Sequence, residues 1–252
     1  RLFFHIPITM SQPLSLPPSL VAIRRVRANR SREERFDLSE LQDSIKECVR
    51  FLICREGSKI PIKRAEIKNH LSNVCQTTSN QLASVLFEAD KELKRVYGYK
   101  LVQLKHLKPK EPKYILVLNE PCESNIVPTL LDEHQKRLLA AALTHIFMTG
   151  APVKEDDMWK FLTEAGLMED NDIVNRKLLT NTFKKQMYLQ YDKVIGDGQQ
   201  TRGEFKWGER ATEEIPKMYI LNKVAQAFEK TPDYWCEQHK EALEESAVQV
   251  LE

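Results

Sequence analysis

One order of elements recurs in this chain and limits its fold more than any single motif. Three stretches with helical apolar spacing lead into two short runs with strand character, and the whole order appears twice. In the first pass, Leu41, Ile45, Cys48 and Leu52 keep helical spacing until Gly57, and Ile60-Pro61-Ile62 reads as extended. Lys63 to Leu71 reads as a second helix and about Asn80 to Val96 as a third, closed by Gly98. Tyr99 to Leu104 and Tyr114 to Leu118 read as strands around a basic loop with Lys105, Lys108, Lys110 and Lys113. In the second pass, Leu131 to Met148 is closed by Gly150, and Asp156 to Ala165 by Gly166. Asn181 to Met187 follows, with Thr180 as its expected N-cap. Tyr188 to Val194 alternates as a strand, Gly196-Asp197-Gly198 opens a polar loop reaching Gly203, and Glu204 to Trp207 returns.

Helix, helix, helix, β-hairpin is the order of a winged-helix domain. The expected class is therefore mainly α with small β-wings (α+β), built as tandem winged-helix domains over 37–120 and 129–230. Residues 121–128 read as a linker. Residues 1–36, with Pro13, Pro17, Pro18 and an Arg-rich stretch from Arg24 to Arg35, read as a disordered basic arm. Two further helices, Glu213 to Phe228 and about Asp233 to Val248, carry the chain into a C-terminal helix and acidic tail over 231–252. Met10 is expected as the natural start, the chain itself beginning with Arg1.

A net charge of +2 hides blocks of opposite sign. Residues 55–113 hold thirteen Lys or Arg against six acids, residues 129–170 four against eight, and residues 174–210 eight against four. Such blocks say more about partners than the total does. The five cysteines form no C-x-x-C pair, so neither a disulfide framework nor a zinc site is indicated. No apolar run approaches the ~20 residues of a membrane span, so no membrane partner is expected.

The residues favour binding over catalysis. No G-x-S-x-G, H-E-x-x-H or Walker-type loop occurs, so no enzyme activity or cofactor is expected. His145, beside Ile146 and Phe147, reads as structural, and Asp156 and Asp157 as favourable charges at a helix start. Two constellations read as surfaces. From Cys48 to Cys54 every residue but Arg50 is apolar, more than one helix face buries against a single core. Either other parts of the chain cover the excess, or a partner does, through Val49, Leu52 and Ile53. The second constellation is basic. Arg176 and Lys177 precede the third helix of the second module, Lys184 and Lys185 lie on it, and Lys193, Arg202 and Lys206 decorate the wing. In helix-turn-helix proteins the equivalent helix enters the major groove while flanking bases hold phosphates. The expected ligand is double-stranded DNA without sequence preference. Lys63, Arg64 and Lys68 of the first module form a rival face.

Several stretches together resemble the MAGE homology domain, named for the melanoma-associated antigens. They include Lys59-Ile60-Pro61-Ile62-Lys63-Arg64-Ala65, Val96-Tyr97-Gly98-Tyr99-Lys100-Leu101-Val102, Ile146-Phe147-Met148-Thr149-Gly150 and Trp159-Lys160-Phe161-Leu162. Gln186-Met187-Tyr188-Leu189-Gln190-Tyr191, Trp207-Gly208-Glu209-Arg210-Ala211 and Pro232-Asp233-Tyr234-Trp235 complete the ordered set. Glu209 departs from the family's usual proline, which affects a turn. The resemblance implies a non-enzymatic adaptor that binds a RING-type ubiquitin ligase subunit. Leu52 and Ile53 match an apolar pair used at that interface. The branch serving the Smc five–six chromosome complex adds a kleisin subunit, DNA contact, DNA repair and a nuclear location. Antigen-type regulators of other RING ligases, and a winged-helix transcription regulator, are the alternatives.

Overall fold

The computed structural model describes residues 41–104, 111–120, 131–195 and 201–249. The expected arm over 1–36, the linker over 121–128 and the loop lysines Lys105, Lys108 and Lys110 lie outside them. The chain divides into two compact units, Arg1–Asp43 and Ser44–Glu252. Of the first, only 41–43 are described, and they are helical.

The second unit holds two modules of like topology. In the first, α1 covers 44–56 and buries Ser44, Cys48 and Leu52, three positions at a four-residue spacing that stack on one helix face. Strand β1 (Ile62–Lys63) runs straight into α2 (Arg64–Cys75), which buries Ile67 and Leu71 and stops at Gln76 in the left-handed region, φ 54°. The Ser44 and Thr77 hydroxyls share a 2.8 Å hydrogen bond that ties α1 to the end of α2. Helix α3 (Leu82–Glu92) buries Leu82, Val85, Leu86 and Ala89 and continues as a π-helical turn, Leu93–Tyr97, closed by Gly98 at φ 69°. Strands β2 (Tyr99–Gln103) and β3 (Lys113–Leu118) form the hairpin, and β1 joins it as a third strand in the order β1-β3-β2.

The second module repeats this plan. Helix α4 (Glu133–Thr149) is capped by Asp132, whose carboxylate accepts from the Gln135 amide at 2.7 Å. Strand β4 (Val153–Lys154) leads into α5 (Glu155–Glu164), where Glu155, Asp156 and Asp157 fill the first turn and complement the helix dipole. Then come α6 (Ile173–Lys177), a π-helical turn Leu178–Thr182, and α7 (Phe183–Lys185). Strands β5 (Leu189–Ile195) and β6 (Thr201–Trp207) pair antiparallel, with β4 on the far edge of β6.

Three local expectations are corrected. The third helix starts at Ile173, because Asp172 caps it by accepting from the Val174 and Asn175 amides, both at 3.0 Å. Thr180 is no cap; its hydroxyl donates to the Arg176 carbonyl one turn back. Arg176 and Lys177 therefore lie within the helix instead of before it. Gly203, expected in the wing loop, sits in β6 opposite Lys193. The expected helix Glu213 to Phe228 is two helices, α8 (Glu209–Glu214) and α9 (Lys217–Ala227). Pro216 disfavours a helical backbone at Ile215, which sits at φ −120°, ψ 103°. The chain ends in a 3₁₀ turn, Pro232–Tyr234, and α10 (Cys236–Gln249).

The second module's core gathers Leu138, Leu143, Phe147, Trp159, Phe183 and Phe205. Trp207 fixes the wing to α4 by donating its indole N–H to the Leu143 carbonyl at 2.9 Å. His145 stacks parallel on Phe161 with ring centroids 4.1 Å apart, and its Nε2 is buried without a hydrogen-bond partner. Burial pushes the imidazole pKa below its usual 6.5, against a weaker opposing pull from the Asp157 carboxylate. The fold thus favours the neutral ring. Its contribution is full above pH 6.5 and is lost as pH falls through the lowered folded value. We expect the melting temperature to drop on acidification from about pH 6.5, and His145→Phe, which keeps the stack, to flatten that limb. Melting curves over pH test this; a variant with the parent's profile would assign the loss to other groups.

Candidate partner and nucleic-acid interfaces

The two modules meet around one buried guanidinium. Arg210, on α8, is 2% exposed. Its Nη1 donates to the Leu116 carbonyl at 2.7 Å and its Nη2 to the Lys59 carbonyl at 3.0 Å, both in the first module. Its Nε donates to the Gln186 carbonyl at 2.8 Å, and Nη1 also reaches Glu214 Oε1 at 2.9 Å. The Tyr188 hydroxyl donates to the other Glu214 oxygen at 2.6 Å. Burial, then the Glu214 carboxylate, drive the Tyr188 phenol pKa far up, so it stays a donor. Lys59 pairs with Glu56 and stands 3.9 Å from Glu214, and Lys100 bonds Glu213 at 3.0 Å. Met187 packs on the cluster of Leu104, Ile115 and Val117. Gly208 lets the chain pass this corner: a Cβ there would lie 2.2 Å from the Met187 carbonyl oxygen.

The apolar end of α1 is divided between core and surface. Val49 and Leu52 are core residues at 7% and 0% exposure, which corrects their expected place on an open face. The helix turns both inward with Cys48, while Phe51 and Ile53 are half-buried and Arg50 and Cys54 exposed. Phe51 stacks on His70 at 4.4 Å between centroids, with the Arg55 guanidinium 5.5 Å from its ring. The available surface is therefore Ile53 and the edge of Phe51.

A second surface is an apolar groove of about 310 Å3 between α4 and α9. Ala140, Leu143, Tyr219, Val224, Ala227 and Phe228 line it. Phe228 is 67% exposed at its end and meets Trp235 edge-on, with centroids 6.0 Å apart. The signal in the sequence was the apolar excess on α9.

The basic residues are split by the fold. Lys184, Lys185 and Lys193 line an open cleft of about 930 Å3 together with Arg55, Lys63 and Lys113 of the first module. Arg176 is turned away: its guanidinium lies 5.3 Å from the Trp159 ring centroid, and its Nε is buried. Lys177 is exposed outside the cleft lining. Arg202 and Lys206 pair with Val194 and Gln190, so they project from the sheet face opposite to Lys193. Arg64 and Lys68 line a separate pocket of about 370 Å3, which shares Lys63 with the cleft's lining.

A profile of the MAGE homology domain matches residues 48–218. The chain belongs to the MAGE family. It is 34% identical over 216 residues to the human non-structural maintenance of chromosomes element 3 homolog, covering 81% of this chain and 67% of that protein. It is 30% identical over 245 residues to human MAGE-like protein 2, and 31% over 215 to human melanoma-associated antigen D2. It spans only 19% and 34% of those two relatives. Among solved structures, a chain of an Nse1-Nse3-Nse4 complex superposes with a TM-score of 0.67 at 28% identity, covering 81% of this chain and 98% of that one.

The matched MAGE span contains the whole joint from Lys59 to Glu214. Arg210 stood inside the Trp207–Ala211 signature, yet no local pattern revealed that it reaches the first module. Removing one partner of a buried hydrogen-bonded charge pair costs about 3–5 kcal/mol. At roughly 2–4 °C per kcal/mol for a chain of this size, Arg210→Leu should melt well below the parent. Arg210→Lys should recover only part, because an ammonium lacks the planar fork. Thermal melts decide it; a leucine variant within a degree of the parent would show that the joint is held elsewhere.

Proposed function

We propose that this MAGE-family chain is a non-enzymatic adaptor of a nuclear Smc five–six chromosome-maintenance complex, acting in DNA repair and recombination. The superposition on nearly all of a chain from an Nse1-Nse3-Nse4 complex is the observation that carries the reading. The human chromosome-element relative, matched over 67% of its length, supports it. In this reading a RING-type ubiquitin ligase subunit docks on the α1 edge at Ile53 and Phe51. A kleisin subunit lays the apolar face of a helix into the α4–α9 groove, the helix-in-groove mode of recognition. Double-stranded DNA binds through Lys184, Lys185 and Lys193, whose ammonium groups suit phosphates and read no base edges. The second reading, an antigen-type regulator of another RING ligase, draws on the 31% identity to melanoma-associated antigen D2. It lacks the kleisin.

Co-expression of the full chain with a RING subunit and a kleisin subunit tests the proposal, and a ternary complex is the expected outcome. Ile53→Glu should weaken the RING contact about tenfold or more, ~1.4 kcal/mol, and leave the kleisin bound. Ala227→Glu, at the exposed end of the groove, should do the reverse. RING binding without kleisin would favour the antigen-type reading, and binding of neither would overturn the adaptor.

A further inference from the structure

In the first module's sheet, Lys63 of β1 lies directly opposite Lys113 of β3. Cross-strand neighbours sit with Cβ atoms about 4.5–5.5 Å apart, and like charges there destabilise a sheet. The second module supplies an internal control. Its β4–β6 pair has the same topology and the same preceding register, with Ile62 opposite Tyr114 matched by Val153 opposite Phe205. At the position equivalent to the lysine pair it sets Lys154 opposite Glu204. One module thus carries an opposite-charge pair, and the other two like charges.

The lysine pair faces the cleft that also holds Lys184, Lys185 and Lys193. Among the described residues, two carboxylates line the same cleft. Glu66 is taken by Arg55 at 2.9 Å, and Asp192 accepts from the Gln190 amide at 2.6 Å. Among the described residues, no carboxylate pairs with Lys63, Lys113, Lys185 or Lys193. Lys184 donates to the Tyr191 carbonyl and stands 5.7 Å from that ring's centroid, contacts that bring it no carboxylate. Cations thus stand on both banks with a shortage of counter-charge, which a polyanion running along the cleft would supply.

We infer that the cleft between the two modules holds the phosphate backbone of double-stranded DNA, with Lys63 and Lys113 of the first module completing the site formed by Lys184, Lys185 and Lys193 of the second. This rests on the DNA reading above and adds a second bank to it. Duplex is favoured over single strand by the lining. Single-strand sites stack bases on exposed aromatic rings, whereas the one ring among the described lining residues, Tyr191, is engaged. Its hydroxyl donates to Glu155 at 2.9 Å and its ring packs 4.9 Å from Phe205. The rival basic faces of the two modules meet at Lys63.

The test uses the full chain and a fluorescent duplex of mixed sequence, titrated by anisotropy across salt. Lys113→Glu creates the charge pattern of the second module, so its melting temperature should equal or exceed the parent's. Its DNA affinity should nevertheless fall, and the slope of log affinity against log salt should flatten by about 0.9 for each phosphate no longer neutralised. Lys63→Glu, the reversed pair, is the companion should one variant fold poorly. Lys185→Glu should give a like loss. Loss with Lys185→Glu alone, or with the first-module variants alone, would leave DNA binding standing and overturn the two-bank cleft. No loss with any variant would overturn the DNA reading itself. A single strand of equal phosphate number that binds as tightly as the duplex would overturn the duplex assignment.

Discussion

Arg210 holds the architecture together. A guanidinium removed from water costs several kcal/mol unless its donors find partners. Here they do, on three backbone carbonyls from distant places in the chain and one carboxylate a helical turn away. Two of the corners it grips, Lys59 at φ 57° and Met187 at φ 66°, are non-glycine residues in the left-handed region. Such a backbone persists only where its surroundings over-determine it. The Nη2 bond to the Lys59 carbonyl and the bond from the Arg210 amide to the Met187 carbonyl, 3.0 Å, do this at both corners. The orientation of one module on the other thus follows from a few hydrogen bonds with fixed directions, where an apolar contact alone would allow sliding.

Much of the fold could be read in the sequence because it depends on short-range chemistry. The stripe Leu82, Val85, Leu86, Ala89 on α3 is a period of 3.6, and Gly98 and Gly166 end their helices at positive φ. What escaped was of three kinds. Strand β4 and the pairing of β1, whose start at Ile62 reads as extended, escaped because each strand is two residues long and exists where a neighbouring strand offers its edge. Asp172 and Pro216 carried clear signals that were overridden by the apolar pattern around them. The joint and the burial of Val49 and Leu52 depend on contacts far apart in sequence, such as Arg210 with Leu116, which no local window contains. The candidate sites divide the same way. Residue type located the basic cluster, but only the fold showed that Arg176 stacks on Trp159 while Lys193 faces the first module.

The two modules share one topology but present different surfaces. The α1 edge of the first keeps Phe51 and Ile53 half-exposed, while α4, its counterpart, is covered further by α9. That extra layer leaves a groove instead of a flat face. The three candidate surfaces draw mainly on different elements, α1, the α4–α9 pair, and the sheet edges with α7, although Arg55 of α1 both stands over the Phe51 ring and lines the cleft.

The cleft and the joint share a thermodynamic consequence. Lys63 and Lys113 line one cleft with Lys184 and Lys185 because the modules are held in register by Arg210, the Lys100–Glu213 pair and the packing of Met187. A ligand bound across both banks therefore stabilises the joint by RT ln(1 + [L]/Kd), and loosening the joint lowers affinity by the same coupling. The like-charge pair fits this account. Its repulsion is a standing cost in the free chain, and a polyanion bound across it would relieve that cost and so add to the difference between bound and free states.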